Sequence, residues 1–427
     1  MTFELVLLLG VFVALVLIDA PIAVALGLAS VVYILVADLA PMIVVAQRAV
    51  AGIDSFTLLA IPLFLLAGLL MVHGGLAPRI VRLCSAIVGR TTGGLAIVMV
   101  AACMLFGSLS GSGVADVVAI GTMMLPAMKA RGYDEGFSAS LLGTAGSLGT
   151  VIPPSIVLIV YGTATNSSIG QLFIASIIPG ILLGAGLMVV AYFISRKNGW
   201  KGGDAFSWPE FWSALRGSFL ALLAPIIIVG GIRGGFFTPT EAAGIGVLYA
   251  IIVGGLIYRE LTFPLIGSLL RQTTEMTGAI LIVIASASIF GWILAAEQVP
   301  QIAVDAISGF TDSATIALLL MMAVVLVLGA FMESIAIILV LAPVFLPILR
   351  LYGIDPVYFG ILLTINLAIG ANTPPLGIDL MAACRVGGIP MSRAFGYLMP
   401  FLGVMIAVLV FLVFVPWIVT DLPHLIF

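Results

Sequence analysis

Three carboxylates stand alone inside long apolar stretches: Asp116, Glu333 and Asp379. An ionised side chain at the centre of a spanning helix costs roughly 2.5 to 3.5 kcal/mol on insertion scales, so each must face a cavity, a cation or a polar partner. The chemistry that suits them is ion binding. Glu333, inside LGAFMES (residues 328–334), is best placed to touch a cation, whereas hydrogen bonding accounts for Asp116 and Asp379 equally well. Asp116 closes the segment FGSLSGSGVAD (106–116), in which Ser108, Ser110 and Ser112 are interspersed with Gly107, Gly111 and Gly113. Small residues of this kind also make helix-packing faces in membranes. A run this dense exceeds what packing needs and would expose backbone amides and carbonyls.

A second pair of segments offers carbonyl oxygens. GSLGTVIPPS (146–155) and AIGANTPPLG (368–377) each place a double proline a few residues after a glycine. Two successive prolines remove two amide donors, so the preceding carbonyls lose their helical partners. Oxygens of this sort suit a small hard cation, with sodium the default, while half-helix N-termini suit an anionic group. Ordinary proline kinks are the plain alternative. Thr144, Ser147 and Thr150 add hydroxyls near the first segment, and Asn366, Asn372 and Thr373 add oxygens near the second.

The elements that must hold these segments are membrane helices. Of the 427 residues 63% are hydrophobic and 8% charged, against about 25% charged in soluble domains. Spanning helices are expected at 3–18, 22–37, 55–73, 135–165, 170–195, 217–234, 240–258, 274–296, 355–386 and 394–418, with hairpins at 92–130 and 313–350. Segments 41–52 and 262–273 have mixed polarity and are expected along the interface. The N-terminal apolar run lacks a basic n-region and reads as a retained helix.

An internal repeat orders these elements. A shift of 221 residues places Pro126 on Pro347, Gly132 on Gly353, Asp134 on Asp355, Gly149 on Gly370, Pro153 and Pro154 on Pro374 and Pro375, and Pro179 on Pro400. The fold class expected is therefore an all-α polytopic membrane protein of two inverted repeats, each with five spanning helices and one re-entrant hairpin. The first repeat occupies 1–200, with scaffold helices in 1–75. A cytoplasmic amphipathic connector occupies 201–216, and the second repeat 217–427, with scaffold helices in 217–296. With hairpin 92–130 entering from the cytoplasm, thirteen basic residues, Arg79, Arg82, Arg90 and Lys129 among them, face that side; Arg48, Arg233 and Arg350 face the other. Both termini then lie outside the cytoplasm.

Several function classes fall away. The lysines are Lys129, Lys197 and Lys201, none after a glycine, so there is no phosphate loop for ATP. His73 and His424 are too few for a transition-metal site or haem. Cys84, Cys103 and Cys384 form no CxxC pattern, and a net charge of -3 leaves no basic surface for nucleic acid. A serine hydrolase needs a base beside its nucleophile, but His73 sits near an expected helix end and no GxSG stretch accompanies it. No enzyme activity and no cofactor are expected.

Taken together, GSLSGSGVADVVAIG, GTVIPPSIVLIVYG, GAFMESIAIILVLAPVFLPI and GANTPPLG resemble the large, DctM-like membrane subunit of tripartite ATP-independent periplasmic (TRAP) transporters, along essentially the whole chain. The resemblance implies sodium-coupled import of an organic acid by an elevator mechanism, in the inner membrane of a bacterium. It also implies two partners, a smaller four-helix (DctQ-like) membrane subunit, expected as a separate polypeptide, and a periplasmic binding protein that delivers the acid. Carried over residue by residue, one sodium region matches Ser108 and Ser110 with Gly146, Gly149, Val151 and Pro153; the other matches Met332 and Glu333 with Gly370, Asn372 and Thr373. Glu333 stands where many members carry an aspartate. Substrate contacts are expected from Ser110, Ser112, Thr144, Asn366 and Asn372. The hairpins with 135–165 and 355–386 would form the transport domain. Dicarboxylates, including C4-dicarboxylates, sugar acids, sialic acid and 2-oxo acids all remain open as substrates, and a related carrier working without a binding protein is the rival reading.

Overall fold

The computed structural model describes residues 3–88, 91–202 and 206–426, with side chains through Asp421. Arg90 and the His424 side chain, both used above, lie outside the described residues. The first half contains α1 (Phe3–Leu17), α2 (Ile22–Ala37), α3 (Ile43–Ile53), α4 (Ala60–His73, led by a 3-10 turn at Phe56–Leu59), α5 (Leu76–Val88), α6 (Gly94–Ser110), α7 (Gly113–Ala130), α8 (Glu135–Gly146), α9 (Ile156–Thr165) and α10 (Ile169–Lys197). The second contains α11 (Trp208–Arg233), α12 (Pro239–Ile251, continued by a π turn at Ile252–Ile257), α13 (Phe263–Ala296), α14 (Val299–Ser308), α15 (Ala314–Gly329), α16 (Ser334–Leu351), α17 (Pro356–Gly370), α18 (Ile378–Gly387), α19 (Met391–Phe414) and α20 (Trp417–Ile426). Moved by 221 residues, α7 coincides with α16 end to end, and α8 starts where α17 starts.

Eight helices among the described residues are long and apolar enough to cross a membrane: α4 with its 3-10 lead, α7, α10, α11, α12 with its π turn, α13, α16 and α19. The protein is an all-helical, multi-pass membrane protein. Several helix starts are fixed by short polar side chains at the N-cap. The Asp134 carboxylate accepts from the amides of Gly136 and Phe137 at 2.7 and 3.1 Å, and Asp355 accepts from Val357 at 2.8 Å. Thr238 and Glu241 form a reciprocal capping box on α12. The α8 and α17 helices lie at the centre: Gly136 through Gly146 and Tyr358 through Gly370 are all buried.

The structure departs from the sequence reading in identifiable places. The segment expected to lie apart at 262–273 is instead continuous with the next span in α13, whose 34 residues measure about 51 Å at 1.5 Å per residue. No proline or glycine interrupts Ser268–Thr277, and the Arg271–Glu275 pair at 2.9 Å bridges the expected boundary one turn apart. The matching point of the first half is broken, since Ser55 adopts an extended conformation between α3 and the 3-10 turn. Three short helices, α5, α14 and α20, were not expected, and α11 begins inside the connector, at Trp208.

Candidate functional site

The first hairpin turns on Gly111 and Ser112. Gly111 takes a left-handed φ of +64° and Ser112 is extended at −138°. A side chain at Gly111 would be strained and would run into the Pro154 carbonyl. The second hairpin turns through Ala330 to Glu333, with Glu333 as the N-cap of α16.

Each hairpin packs on one double-proline segment. The α8 helix tightens into a 3-10 turn at Ser147–Thr150 and then loses helical form until Ile156; the chain between α17 and α18 is likewise irregular from Ala371 to Gly377. Contact is made glycine to glycine. A Cβ added to Gly107 would stand 2.7 Å from the Gly149 Cα, and one added to Gly370 would stand 2.8 Å from the Gly329 Cα. Just past each double proline an amide ties the segment to the hairpin tip: Ile156 donates to the Gly111 carbonyl at 3.3 Å and Leu376 to the Ala330 carbonyl at 3.1 Å.

This packing leaves acceptors and donors unused. Among the described residues no hydrogen bond reaches the carbonyls of Val151, Ile152, Pro153 or Pro154, nor those of Asn372, Thr373, Pro374 or Pro375. Helices α7, α16 and α18 also begin without a side-chain cap, unlike α8, α9, α10, α12 and α17. Open carbonyls suit cations and uncapped helix starts suit anions.

The side chains around the first site converge. The Ser110 hydroxyl donates to Asp116 Oδ1 and accepts from the Ser112 amide at 3.2 Å. Asp116 is fully buried, its Oδ2 has no hydrogen-bond partner, and a Cβ on Gly149 would collide with it. Asp116 therefore clusters with Ser110 and Gly149, a proximity that its sequence position alone left undecided. Gly146 rests against Val117 and the Gly113 carbonyl, and Val151 is buried. Ser108 donates to the Leu105 carbonyl at 2.6 Å, within its own helix.

At the second site Met332 is buried and Glu333 half-buried. Thr373 donates to the Ile369 carbonyl at 2.8 Å. Asn372 donates to Ala368 at 3.0 Å while its Oδ1, buried and unpartnered, is aimed at Gly143 of α8. Of the expected substrate residues, Thr144 is committed to its own helix, bonding back to Ser140 at 2.9 Å, whereas Asn366 donates its Nδ2 to the Met322 carbonyl at 2.6 Å and keeps a buried, unpartnered Oδ1. Gly143 and Gly329 were not singled out from sequence, and Gly107 only as part of the glycine-serine run; their signal is a close backbone approach that only the partner segment reveals.

Two cavities border the assembly of hairpins and broken helices. One of about 740 Å³ lies between the α9–α10 turn, α3 and α13, and is lined by uncharged polar groups including Ser55, Thr57, Asn166, Ser167 and Ser288. Another of about 450 Å³ separates α7 from α4, α5 and α13, with His73, Thr122 and Gln272 in its wall.

Sequence comparison places this architecture. Residues 9–418 match the model for the DctM component of the tripartite ATP-independent periplasmic transporter. The isethionate TRAP transporter permease protein DctMQ of Oleidesulfovibrio alaskensis is 39% identical over 96% of this chain, which spans 65% of that relative's length. The C4-dicarboxylate TRAP transporter large permease protein DctM of Pseudomonas aeruginosa is 40% identical over 87% of each chain. In fold alone the chain is similar to the YdaH transporter of Alcanivorax borkumensis, with a TM-score of 0.58, 15% identity and 88% of each chain covered. The relatives are permeases, not enzymes. By these matches, and by helices and hairpins laid out along its whole length, the chain belongs to the DctM family of TRAP transporter large permease proteins.

Proposed function

We propose that this chain carries an organic acid across the inner membrane in symport with sodium, working with a small four-helix membrane subunit and a periplasmic binding protein that delivers the acid. The observation that carries the reading is the pairing of each run of four unbonded carbonyls with an uncapped helix start. Sodium would bind at Ser110, Asp116, Gly149 and Val151 in the first half, with Ser108, Gly146 and Pro153 shaping the loop. In the second half it would bind at Glu333, Gly370, Asn372 and Thr373, beside Met332. Each ion would draw a hairpin tip onto its double-proline segment.

The ordered tips would then present uncapped amides and the hydroxyls of Ser110 and Ser112 to a substrate carboxylate, with Asn372 on the opposite side. Thr144 and Asn366 support this surface from behind through the helix bonds they make. Movement is proposed as an elevator. The two cavities beside α13 lie along the boundary between the hairpin assembly and the scaffold helices, where one body can slide against the other. The two halves are proposed to be inverted repeats, with thirteen of sixteen basic residues at the cytoplasmic face and both termini periplasmic.

Uptake into proteoliposomes holding the whole complex, with its binding protein supplied outside, tests the coupling. An inward sodium gradient should be required; uptake unchanged when potassium replaces sodium would refute it. Uptake without any binding protein would favour the self-sufficient carrier.

A further inference from the structure

Asp379 is the one deep carboxylate that this mechanism leaves without a role. It lies in the first turn of α18, is only 3% exposed, and its Oδ2 has no hydrogen-bond partner among the described residues. Its backbone belongs to the second site, since the Asp379 amide donates to the Ala371 carbonyl at 2.9 Å. Its side chain belongs to the first. A Cβ built on Gly113, the first residue of α7, would stand 2.6 Å from Asp379 Oδ2 and 3.1 Å from Oδ1.

The seat at Gly113 is electrostatically suited to a carboxylate. The first amides of a helix lack intrahelical acceptors and carry the positive end of its dipole. Ser112, the N-cap, makes no side-chain bond to them, so the Asp379 carboxylate of the other half stands beside amides that no local cap satisfies. Gly113 admits it because it has no side chain. Asp116, bonded to Ser110, lies one turn further along α7 from this seat.

We propose that Asp379 is a positioning residue that couples the two cation sites, resting on the sodium-symport reading above. An ion that orders the segment between α17 and α18 fixes the Asp379 backbone. The carboxylate then holds the start of α7, where the Gly111–Ser112 turn and Asp116 shape the first site. Occupancy of one site thereby raises affinity at the other, and the coupling is reciprocal. With Asp379 neutral the two sites fill independently.

Sodium titration of thermal stability, read on the chain purified with its small subunit, tests the coupling without transport. The wild-type protein should be stabilised by sodium along a sigmoidal curve with a Hill coefficient approaching 2. Asp379→Asn should keep the sodium response but lower the Hill coefficient towards 1 and raise the half-saturating concentration about fivefold or more, the usual range for coupled sites. Gly113→Ala, which keeps the carboxylate and crowds it off its seat, should do the same and covers the case in which Asp379→Asn does not fold. A sigmoidal curve of unchanged midpoint in either variant overturns the coupling and leaves sodium symport standing. A wild-type protein indifferent to sodium overturns both.

Discussion

The two hairpin and double-proline pairs share a backbone and differ in where they keep their charge. Both make a glycine-to-glycine contact, both tie the tip with one amide, and both leave four carbonyls unbonded. The first encloses a fully buried acid, Asp116, held by Ser110 from within the same hairpin. The second places its acid at the tip itself, where Glu333 is half-buried as a helix N-cap and makes no capping bond. A charge deep in apolar surroundings needs a partner more than one at a wetter rim. On the proposed sodium reading, the first site depends more strongly on its ion, and the second lies nearer the protein surface.

The largest effect should come from filling the glycine contacts. Gly149→Ala puts a methyl group against both the Asp116 carboxylate and Gly107, whereas Gly370→Ala meets only the backbone of Gly329. Overpacking costs about 1–3 kcal/mol, and sodium-driven uptake should be lost in the first variant and reduced in the second. Equal defects would erase the proposed difference between the sites.

Charge removal should separate them next. Asp116→Asn can keep a hydrogen bond to Ser110 but loses the ionic ligand; it should raise the sodium concentration for half-maximal uptake about tenfold, the equivalent of about 1.4 kcal/mol. Glu333→Gln should raise it by less. A larger shift from Glu333→Gln would reverse the assignment, and no shift would remove Glu333 from the site.

A smaller effect should follow from the exit helices. Ser155 caps α9, accepting from the Leu158 amide at 3.3 Å, while α18 begins at Gly377 with no side-chain cap. Ser155→Ala should cost about 1 kcal/mol, seen as a fall of a few degrees in the melting midpoint. An unchanged midpoint would mean that the Ser155 cap does not set the two halves apart.

The smallest belongs to the ends of the hairpins. Lys129 pairs with Glu135 at 2.5 Å and Arg393 with Glu135 at 2.6 Å; the positions 221 residues after Lys129 and Glu135 are Arg350 and Pro356, which cannot form that pair. The Lys129 hydrogen bond, ahead of the Lys129 and Arg393 charges, lowers the Glu135 carboxyl below its usual range. Because the folded pKa is lowered, the stabilisation is present above the unfolded value of about 4.3 and is lost as pH falls through the folded value. Glu135→Gln should therefore leave the melting midpoint almost unchanged near neutrality, solvent screening the pair, and remove only a slight acid sensitivity. A large loss at pH 7 would show that this cluster, and not the hairpin tips, separates the two halves.

Much of the fold was legible because membrane helices announce themselves locally. The hairpin tips, the double-proline breaks and their common offset follow from runs of apolar residues and from glycine and proline, whose effects act within a turn or two. The continuity of α13 was not legible: Arg271 and Glu275 look like interface residues in a linear reading and turn out to be an exposed pair one turn apart on an unbroken helix. At the site the sequence pointed to Ser110, Gly149, Glu333 and Gly370, but it could not rank Asp116 and Asp379 above structural carboxylates.

By itself the sequence determined the class of molecule, the helices and the existence of two matched irregular segments, because hydrophobicity and the missing amide of proline act on the residue that carries them. Only the tertiary structure decided which glycine faces which. It alone placed Asp116 over Gly149 and brought Asp379 of the second half to the start of α7. A buried charge is settled by whatever comes near it in space, and along a folded chain those neighbours lie far beyond the reach of any local pattern.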